Sequence, residues 1–353
     1  MKGYFSVDTL YMTIKYPHAD IFHKWNKHVL DVDHRKLSQG IPVNDFLIST
    51  GASGYKISLR RHDARIFLTP DVDDKRGENR GMGIWVQFGP KFLAEHFTHL
   101  QTATWELLTE IGVKEKYPTR ITRVDLALDL FGVSMQEQNL DDWQNGWVGR
   151  SKVSAQYFNS RTGNLETINI GSRKSSVFIR VYDKIAQSIK DGDLEFWYEV
   201  WQQQPESVMR IEWEVKPSKG NFENYVLDFE NFVGFTVYEL MNYLLDWGRL
   251  CIPNSDDSTR TRWPESELWT LTREVASQWT QDLDKAKRLK KELAPWSDAY
   301  ATQLMGMIAG GMARSNTDEP NIQDMFEKLQ QSGIDYGKIT NKANEKARIL
   351  KLA

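Results

Sequence analysis

The chain has 353 residues, of which 40 % are hydrophobic and 26 % charged, and its formal net charge is −3. The composition is that of an ordinary globular protein, and the net charge disfavours a protein that coats nucleic acid through overall positive charge. The single cysteine, Cys251, excludes a disulfide framework, and no His-x-His pair occurs that could hold a metal on a strand. No apolar run has transmembrane length and the first residues lack a signal-peptide core, so we expect a cytoplasmic protein without a membrane partner.

Residues 1–217 are predicted to be mainly strands with a few helices, which is typical of an α+β fold with antiparallel sheet. The predicted strands are rich in β-branched and aromatic residues and are bounded by turn-forming residues. They are Ser6–Ile14, Tyr55–Arg60, Arg65–Thr69, Ile84–Phe88, Ile121–Leu130, Ala155–Phe158, Glu166–Ile170, Ser176–Lys184 and Met209–Lys216. Helices are predicted at Asp20–Leu30 and Lys91–Ile111.

The segment Val7–Leu10 resembles Val124–Ala127, and each opens a strand-rich stretch. Either the match is chance, or residues 1–115 and 116–217 are two copies of one RRM-like unit, of which the first is non-catalytic. Residues 218–353 are predicted to form a mainly helical accessory region that binds DNA. Its longest helix is predicted at Glu265–Leu293, where apolar residues recur at helical spacing.

Three of the predicted strands each carry one polar face, because successive side chains of a strand alternate between its two sides. The polar positions of the first are Arg123, Asp125, Ala127 and Asp129; those of the second are Phe178, Arg180, Tyr182 and Lys184; those of the third are Arg210, Glu212, Glu214 and Lys216. If these strands share a sheet, the three faces merge into one surface. The alternative is an ordinary solvated sheet face.

Carboxylates on this surface could converge on one hard cation, because Mg²⁺ and Mn²⁺ prefer oxygen ligands. Asp125, Glu212 and Glu214 are the candidate ligands, and Asp129 is a further candidate acid. A basic turn, Gly171–Ser175, separates the predicted strands Glu166–Ile170 and Ser176–Lys184 and suits a phosphate backbone. An ordinary basic turn is the alternative.

The chemistry that fits this surface is attack of a tyrosine hydroxyl on a phosphodiester. A phenol ionises near pH 10 and is a poor nucleophile without help. A cation at the phosphate, together with nearby Arg and Lys, would stabilise the charge of the transition state. Tyr182 is the candidate nucleophile, with Arg180 and Lys184 as its basic neighbours.

Four ordered motifs resemble those of the trans-acting rolling-circle replication initiators, a replication initiation factor family of plasmid and filamentous-phage (RstA-like) proteins related to conjugative relaxases. The motifs are Arg123–Asp129, Gly171–Ser175, Arg180–Lys184 and Arg210–Lys216. The resemblance implies site-specific nicking and joining of origin DNA through a 5′-phosphotyrosine. It places the nucleophile at Tyr182 and the metal ligands at Asp125, Glu212 and Glu214.

The expected partners are double-stranded origin DNA and its exposed single strand, a second copy in a homodimer, and, as a further candidate, a host helicase. Candidate DNA contacts are basic residues of the strands, the turn and the long helix: Arg123, Arg210, Arg173, Lys174, Lys287, Arg288, Lys290 and Lys291. Two other functions stay open. One is a metal-dependent nuclease that uses water as nucleophile; the other is a sequence-specific DNA-binding regulator that does not cut.

Overall fold

The computed structural model describes residues 2–15, 19–70, 82–114, 116–232, 236–280 and 283–286. Its strands are β1 (Gly3–Ile14), β2 (Ile41–Val43), β3 (Phe46–Thr50), β4 (Ile57–Arg61), β5 (Ala64–Leu68), β6 (Ile84–Phe88), β7 (Thr119–Phe131), β8 (Trp147–Gly149), β9 (Val153–Phe158), β10 (Leu165–Gly171), β11 (Val177–Asp183), β12 (Val208–Val215) and β13 (Gly248–Leu250). Every predicted strand is present. The four strands that the sequence analysis missed, β2, β3, β8 and β13, are three to five residues long.

The α-helices of the described residues are three to fourteen residues long. They are α1 (Ala19–Asn26), α2 (His34–Gln39), α3 (Pro90–His96), α4 (Leu100–Ile111), α5 (Leu140–Gly146), α6 (Lys184–Asp191), α7 (Leu194–Trp201), α8 (Pro217–Gly220), α9 (Asn224–Leu227), α10 (Phe229–Asn231), α11 (Val237–Leu245) and α12 (Glu267–Thr280). The helix predicted at Lys91–Ile111 is divided into α3 and α4 by a 3₁₀ turn, Phe97–His99. The described residues contain no helix long and apolar enough to cross a membrane.

Eleven strands form one antiparallel sheet in the order β2-β3-β4-β5-β6-β1-β7-β12-β11-β10-β9, and β8 pairs with β13 separately. The α+β prediction is therefore confirmed. The sheet is symmetric about its central pair: β1 is followed outward by β6, β5 and β4, and β7 by β12, β11 and β10. In each half, the strand that comes first in the sequence (β1 or β7) pairs with the one that comes last (β6 or β12). This shared pattern agrees with two copies of one unit. The duplication itself stays a prediction.

One face of the sheet carries the main hydrophobic core. Leu10, Val124, Leu126 and Ile211 lie there, fully buried. They pack with the apolar residues of α4, α11 and α12, among them Leu108, Leu244 and Trp269. Residues up to Ala286 thus contribute to the same core as the strands. The accessory and DNA-binding roles predicted for residues 218–353 stay predictions, and the stretch from 287 onward lies outside the described residues.

The opposite face of the sheet is polar and is only partly covered. Helices α6 and α7 cover one end of it through a second apolar cluster of Trp197, Trp201 and Val208. Helix α6 begins where β11 ends, because the Asp183 carboxylate caps it and accepts a hydrogen bond from the Ala186 N–H at 2.9 Å. The rest of this face presents the side chains that the sequence analysis singled out.

Candidate functional site

The registers of β7, β12 and β11 bring the three predicted polar faces together. Asp125 lies directly opposite Glu214, and Glu212 lies opposite both Ala127 and Arg180. The next pairs along the strands join Arg210 to Asp129 on one side and to Tyr182 on the other. Residues directly opposite in a sheet have Cβ atoms about 5 Å apart, so these side chains are neighbours. The prediction of one merged polar surface is confirmed.

Tyr182 and Arg180 both contact Glu212. The Tyr182 hydroxyl donates a hydrogen bond to Glu212 Oε2 at 2.8 Å, and Arg180 forms an ion pair with Glu212 Oε1. Burial, followed by the charge of Glu212, raises the pKa of Tyr182 well above its usual value, so the phenol is protonated. Burial alone would raise the pKa of Glu212, but the charge and hydrogen bond of Arg180 outweigh it, and that pKa is lowered.

Asp125 and Glu214 share the guanidinium of Arg123. Arg123 donates to both Asp125 oxygens, at 2.8 and 2.5 Å, and its Nη2 lies 3.1 Å from Glu214 Oε2. Lys216 donates to the other oxygen of Glu214 at 2.6 Å. Glu214 Oε2 is buried and has no hydrogen bond of good geometry. Burial, and after it the charge of Glu212, raises the pKa of Asp125 to about 7 against the hydrogen bond from Arg123.

Asp129 and Arg210 form an ion pair with no exposed surface. Arg210 donates to the two Asp129 oxygens at 2.6 and 2.7 Å and to Asp8 Oδ1 at 2.5 Å, while Trp201 Nε1 donates to Asp129 at 2.8 Å. The guanidinium also lies 4.1 Å from the ring centroid of Trp197. Arg210 therefore has no surface for a phosphate, which corrects the predicted DNA contact. Asp129 is occupied by this pair rather than facing the other acids.

Asp8 also lies on this polar face, and the sequence analysis did not single it out. The pairing of β1 with β7 shifts by one residue between Val7 and Thr9, so Asp8 is the extra residue of a β-bulge. A bulge re-aims a side chain, and here it brings Asp8 to the polar face and to Arg210. The resemblance of Val7–Leu10 to Val124–Ala127 was the available signal, because it aligns Asp8 with Asp125.

Lys184 differs from its predicted place on the polar face of a strand. It is the first residue of α6, is only 5 % exposed, and its ammonium lies 4.1 Å from the ring centroid of Trp197. Burial, followed by the charge of Arg210, lowers the pKa of Lys184 to about 8. The strand ends one residue earlier than predicted because Asp183 caps the helix.

The basic turn is the tip of a hairpin, as predicted. Strands β10 and β11 pair antiparallel, and Gly171, at φ +85°, adopts the left-handed conformation that glycine favours. Arg173 and Lys174 are exposed at the tip. Lys216 donates to the Arg173 carbonyl and so joins the tip to the acidic surface. Of the other predicted DNA contacts, Lys287, Arg288, Lys290 and Lys291 lie outside the described residues.

The acids of this surface are all paired with basic side chains. Within the ranges that the structure describes, no three His, Cys, Asp or Glu side chains stand together as a ready metal-binding group. Asp125, Glu212 and Glu214 nevertheless supply oxygen donors of the kind that Mg²⁺ and Mn²⁺ prefer. Glu214 Oε2 is buried and makes no hydrogen bond of good geometry, so it is an oxygen that a cation could take as a ligand.

An antiparallel sheet that presents a tyrosine among carboxylates and arginines defines a candidate phosphate-handling site. Residues 119–319 match the model of the replication initiation factor family. That match spans more than half of the chain, and the chain belongs to this family. The matched region includes the site strands β7, β11 and β12.

Among solved structures, the chain is similar to a rolling circle replication initiator protein from Geobacillus stearothermophilus. The two share 17 % sequence identity with a TM-score of 0.48, over 81 % of this chain and 99 % of that chain. No curated protein matches the chain.

Proposed function

We propose that this chain is a rolling-circle replication initiator that nicks one strand of origin DNA and rejoins it through a phosphotyrosine at Tyr182. The observation that carries the proposal is the hydrogen bond from the Tyr182 hydroxyl to Glu212 Oε2, at 2.8 Å, on the one sheet face that gathers acids and arginines. A tyrosine that only packs would be expected on the opposite face, with Ile179 and Val181. Family membership supports a role in replication initiation.

In the proposed step, Tyr182 Oη attacks the phosphorus of the scissile phosphodiester. The bond from phosphorus to the tyrosine oxygen forms as the bond to the 3′ oxygen breaks. The phenolic proton passes to Glu212 Oε2, which already accepts it in a hydrogen bond. The 3′ oxygen leaves as a hydroxyl after it takes a proton from water. The 5′-phosphate stays on Tyr182, and attack by a 3′ hydroxyl reverses the step and rejoins the strand.

The arginines next to Tyr182 and Asp125 are placed to bind the phosphate. Arg180 lies beside the phenol, with its guanidinium 5.7 Å from the Tyr182 ring centroid, and its Nε has no hydrogen-bond partner. Arg123 is also partly exposed and could bind a phosphate oxygen. A cation that moves from a carboxylate to a phosphate keeps its charge neutralised throughout the step. Lys184 and Arg210 are buried, so they would not contact the phosphate directly.

We further propose that Asp125, Glu212 and Glu214 hold a Mg²⁺ or Mn²⁺ ion. When bound, such an ion polarises the scissile phosphate and offsets the charge of the transition state. Arg123 must release the Asp125 oxygens that it occupies in the paired arrangement before those oxygens can serve as ligands. The buried Glu214 Oε2, which lacks a hydrogen bond, is the donor atom that needs the least rearrangement.

The test is the Tyr182→Phe variant, with Tyr157→Phe as its matched control. Tyr157 is an exposed tyrosine on β9, two strands away in the same cross-strand row. Both proteins are incubated with supercoiled origin DNA and Mg²⁺. Tyr182→Phe is expected to bind DNA but to give neither nicked circles nor covalent adduct, whereas Tyr157→Phe gives both.

Tryptic mapping of the wild-type adduct is expected to place the nucleotide on the peptide Val181–Lys184. An adduct on another tyrosine, or a Tyr182→Phe variant that still nicks and links, would contradict the proposal. Nicking without any adduct, even in the wild type, would favour the nuclease that uses water. Binding in EDTA without cutting under any condition would favour the regulator. The homodimer and the helicase partner stay predictions.

A further inference from the structure

The polar face does not end at the acids but continues across the first half of the sheet. From Asp125 the surface passes to its neighbour Thr9 on β1, and from Arg123 to Tyr11. Tyr11 pairs with Gln87 on β6, Gln87 with Arg65 on β5, and Arg65 with Arg60 on β4. Adjacent strands lie about 4.8 Å apart, so Arg65 is about 14 Å and Arg60 about 19 Å across the sheet from Asp125.

The part of the polar face on β4, β5 and β6 is basic rather than acidic. On the polar face of β4, β5 and β6 the described side chains are Ser58, Arg60, Arg65, Phe67, Trp85 and Gln87, and no acid is among them. Three of them, Arg60, Arg65 and Gln87, line an open groove of about 270 Å³ together with Thr9, Tyr11 and His62. Among the described residues, Asp63 at the β4–β5 turn is the one carboxylate that lines the groove, and the backbone N–H of Lys91 donates to it at 2.9 Å.

The two arginines of the groove have no partner of opposite charge among the described residues. Neither Arg60 nor Arg65 makes an ion pair within the part of the chain that the structure describes. They lie directly opposite each other on β4 and β5, an arrangement of like charges that destabilises a sheet. Arg65 Nε is buried without a hydrogen-bond partner, and its guanidinium lies 5.3 Å from the Phe67 ring centroid. An anion between the two arginines would neutralise their like charges and could accept a hydrogen bond from Arg65 Nε.

Resting on the proposed nicking function, we propose that this arginine groove, defined by Tyr11, Arg60, Arg65 and Gln87, binds the backbone of the single strand that flanks the nick. The groove is open, and its two arginines stand on neighbouring strands, where an extended sugar-phosphate backbone could contact both. Its position continues the acidic surface without a break, so a strand bound there leads to Tyr182. Basic side chains that track the backbone beside aromatic rings are the usual means of binding unpaired strands.

The test measures binding without cleavage. The double variant Arg60→Gln, Arg65→Gln is compared with Arg61→Gln in EDTA, with a labelled single-stranded oligothymidine and fluorescence anisotropy over a series of salt concentrations. Arg61 is the matched control, because it follows Arg60 on β4 but lies on the other face, in an ion pair with Glu110. Urea unfolding checks that both variants fold.

The double variant is expected to bind the single strand more weakly. Its slope of log affinity against log salt should be flatter by about 1.4, because each phosphate contact contributes about 0.7 on single strands. Arg61→Gln should leave slope and affinity unchanged. An unchanged slope in the double variant, an equal loss in Arg61→Gln, or a loss confined to duplex DNA would each overturn the groove assignment.

These outcomes are independent of the tyrosine chemistry. If Tyr182→Phe still nicks but the arginine variant loses single-strand affinity, the proposed function fails and the groove stands. If the arginine variant binds as the wild type does while Tyr182→Phe is inactive, the groove fails and the nicking function stands.

Discussion

Arg210 offers the sharpest stability prediction, because the sequence suggests a DNA contact and the structure shows a buried ion pair. Arg210→Met removes three charge-assisted hydrogen bonds, two to Asp129 and one to Asp8. Asp129 is then left fully buried with only the Trp201 N–H as a donor. Breaking a buried pair in this way costs about 3–5 kcal/mol of unfolding free energy, because the remaining charge has no compensation.

The assay is urea unfolding of the wild type, Arg210→Met and the double variant Arg210→Met, Asp129→Asn. With a slope of about 3 kcal/mol per molar urea, the midpoint of Arg210→Met should fall by about 1 M or more. The double variant should regain part of that loss, because the amide still accepts from Trp201 but carries no charge. The exposed pair of Arg61 and Glu110 is the control, and Arg61→Met should cost about 1 kcal/mol or less.

The reasoning would be refuted if Arg210→Met shifted the midpoint no more than Arg61→Met does. It would also be refuted if the double variant were less stable than the single one. A DNA-contacting Arg210 gives a different result: its loss would flatten the salt dependence of DNA affinity and leave the unfolding midpoint unchanged.

Two further predictions concern the acids and the hairpin tip. Asp125→Asn and Glu214→Gln should each abolish nicking, because each removes a charged oxygen ligand of the proposed ion while the amide keeps the size and one acceptor oxygen of the carboxylate. The check is gel analysis of nicked circles, with circular dichroism to confirm that each variant is folded. Nicking in excess EDTA at the wild-type rate would count against the ion. Replacing Arg173 and Lys174 together by Ala should flatten the salt dependence of duplex affinity by roughly one to two units, as measured by anisotropy, because both are exposed at the tip.

The alternation of polar and apolar residues was enough to predict most of the sheet. In β7, β11 and β12 it placed Asp125, Glu212 and Tyr182 on one face, and the observed register confirms this. The signal is strong there because each strand is long enough for several periods of two. Strands of three residues, such as β8 (Trp147–Gly149), carry too few periods to be recognised.

The contacts within the site could not be predicted in the same way. The pairing of Arg210 with Asp8 joins residues 202 positions apart and depends on a bulge. The bulge shifts the buried positions of β1 from Phe5 and Val7 to Leu10 and Met12. The end of β11 was misplaced by one residue because the capping preference of Asp183 outweighs the strand pattern around Lys184. In each case a tertiary or local interaction decided the position of the side chain.

The symmetry of the sheet gives a physical reason for the division of the polar surface. Both halves have the same strand order, and the central pair β1 and β7 brings their polar faces into one surface. The half built on β7 carries paired carboxylates and Tyr182, whereas the half built on β1 carries Arg60 and Arg65 in the strands equivalent to β10 and β11. A nicking enzyme needs both a site that reacts with one phosphate and a surface that holds the neighbouring strand. If the two halves are copies of one unit, the second has kept the acids for the reaction. On the same assumption, the first half would supply the basic surface that holds the strand beside the reacting phosphate.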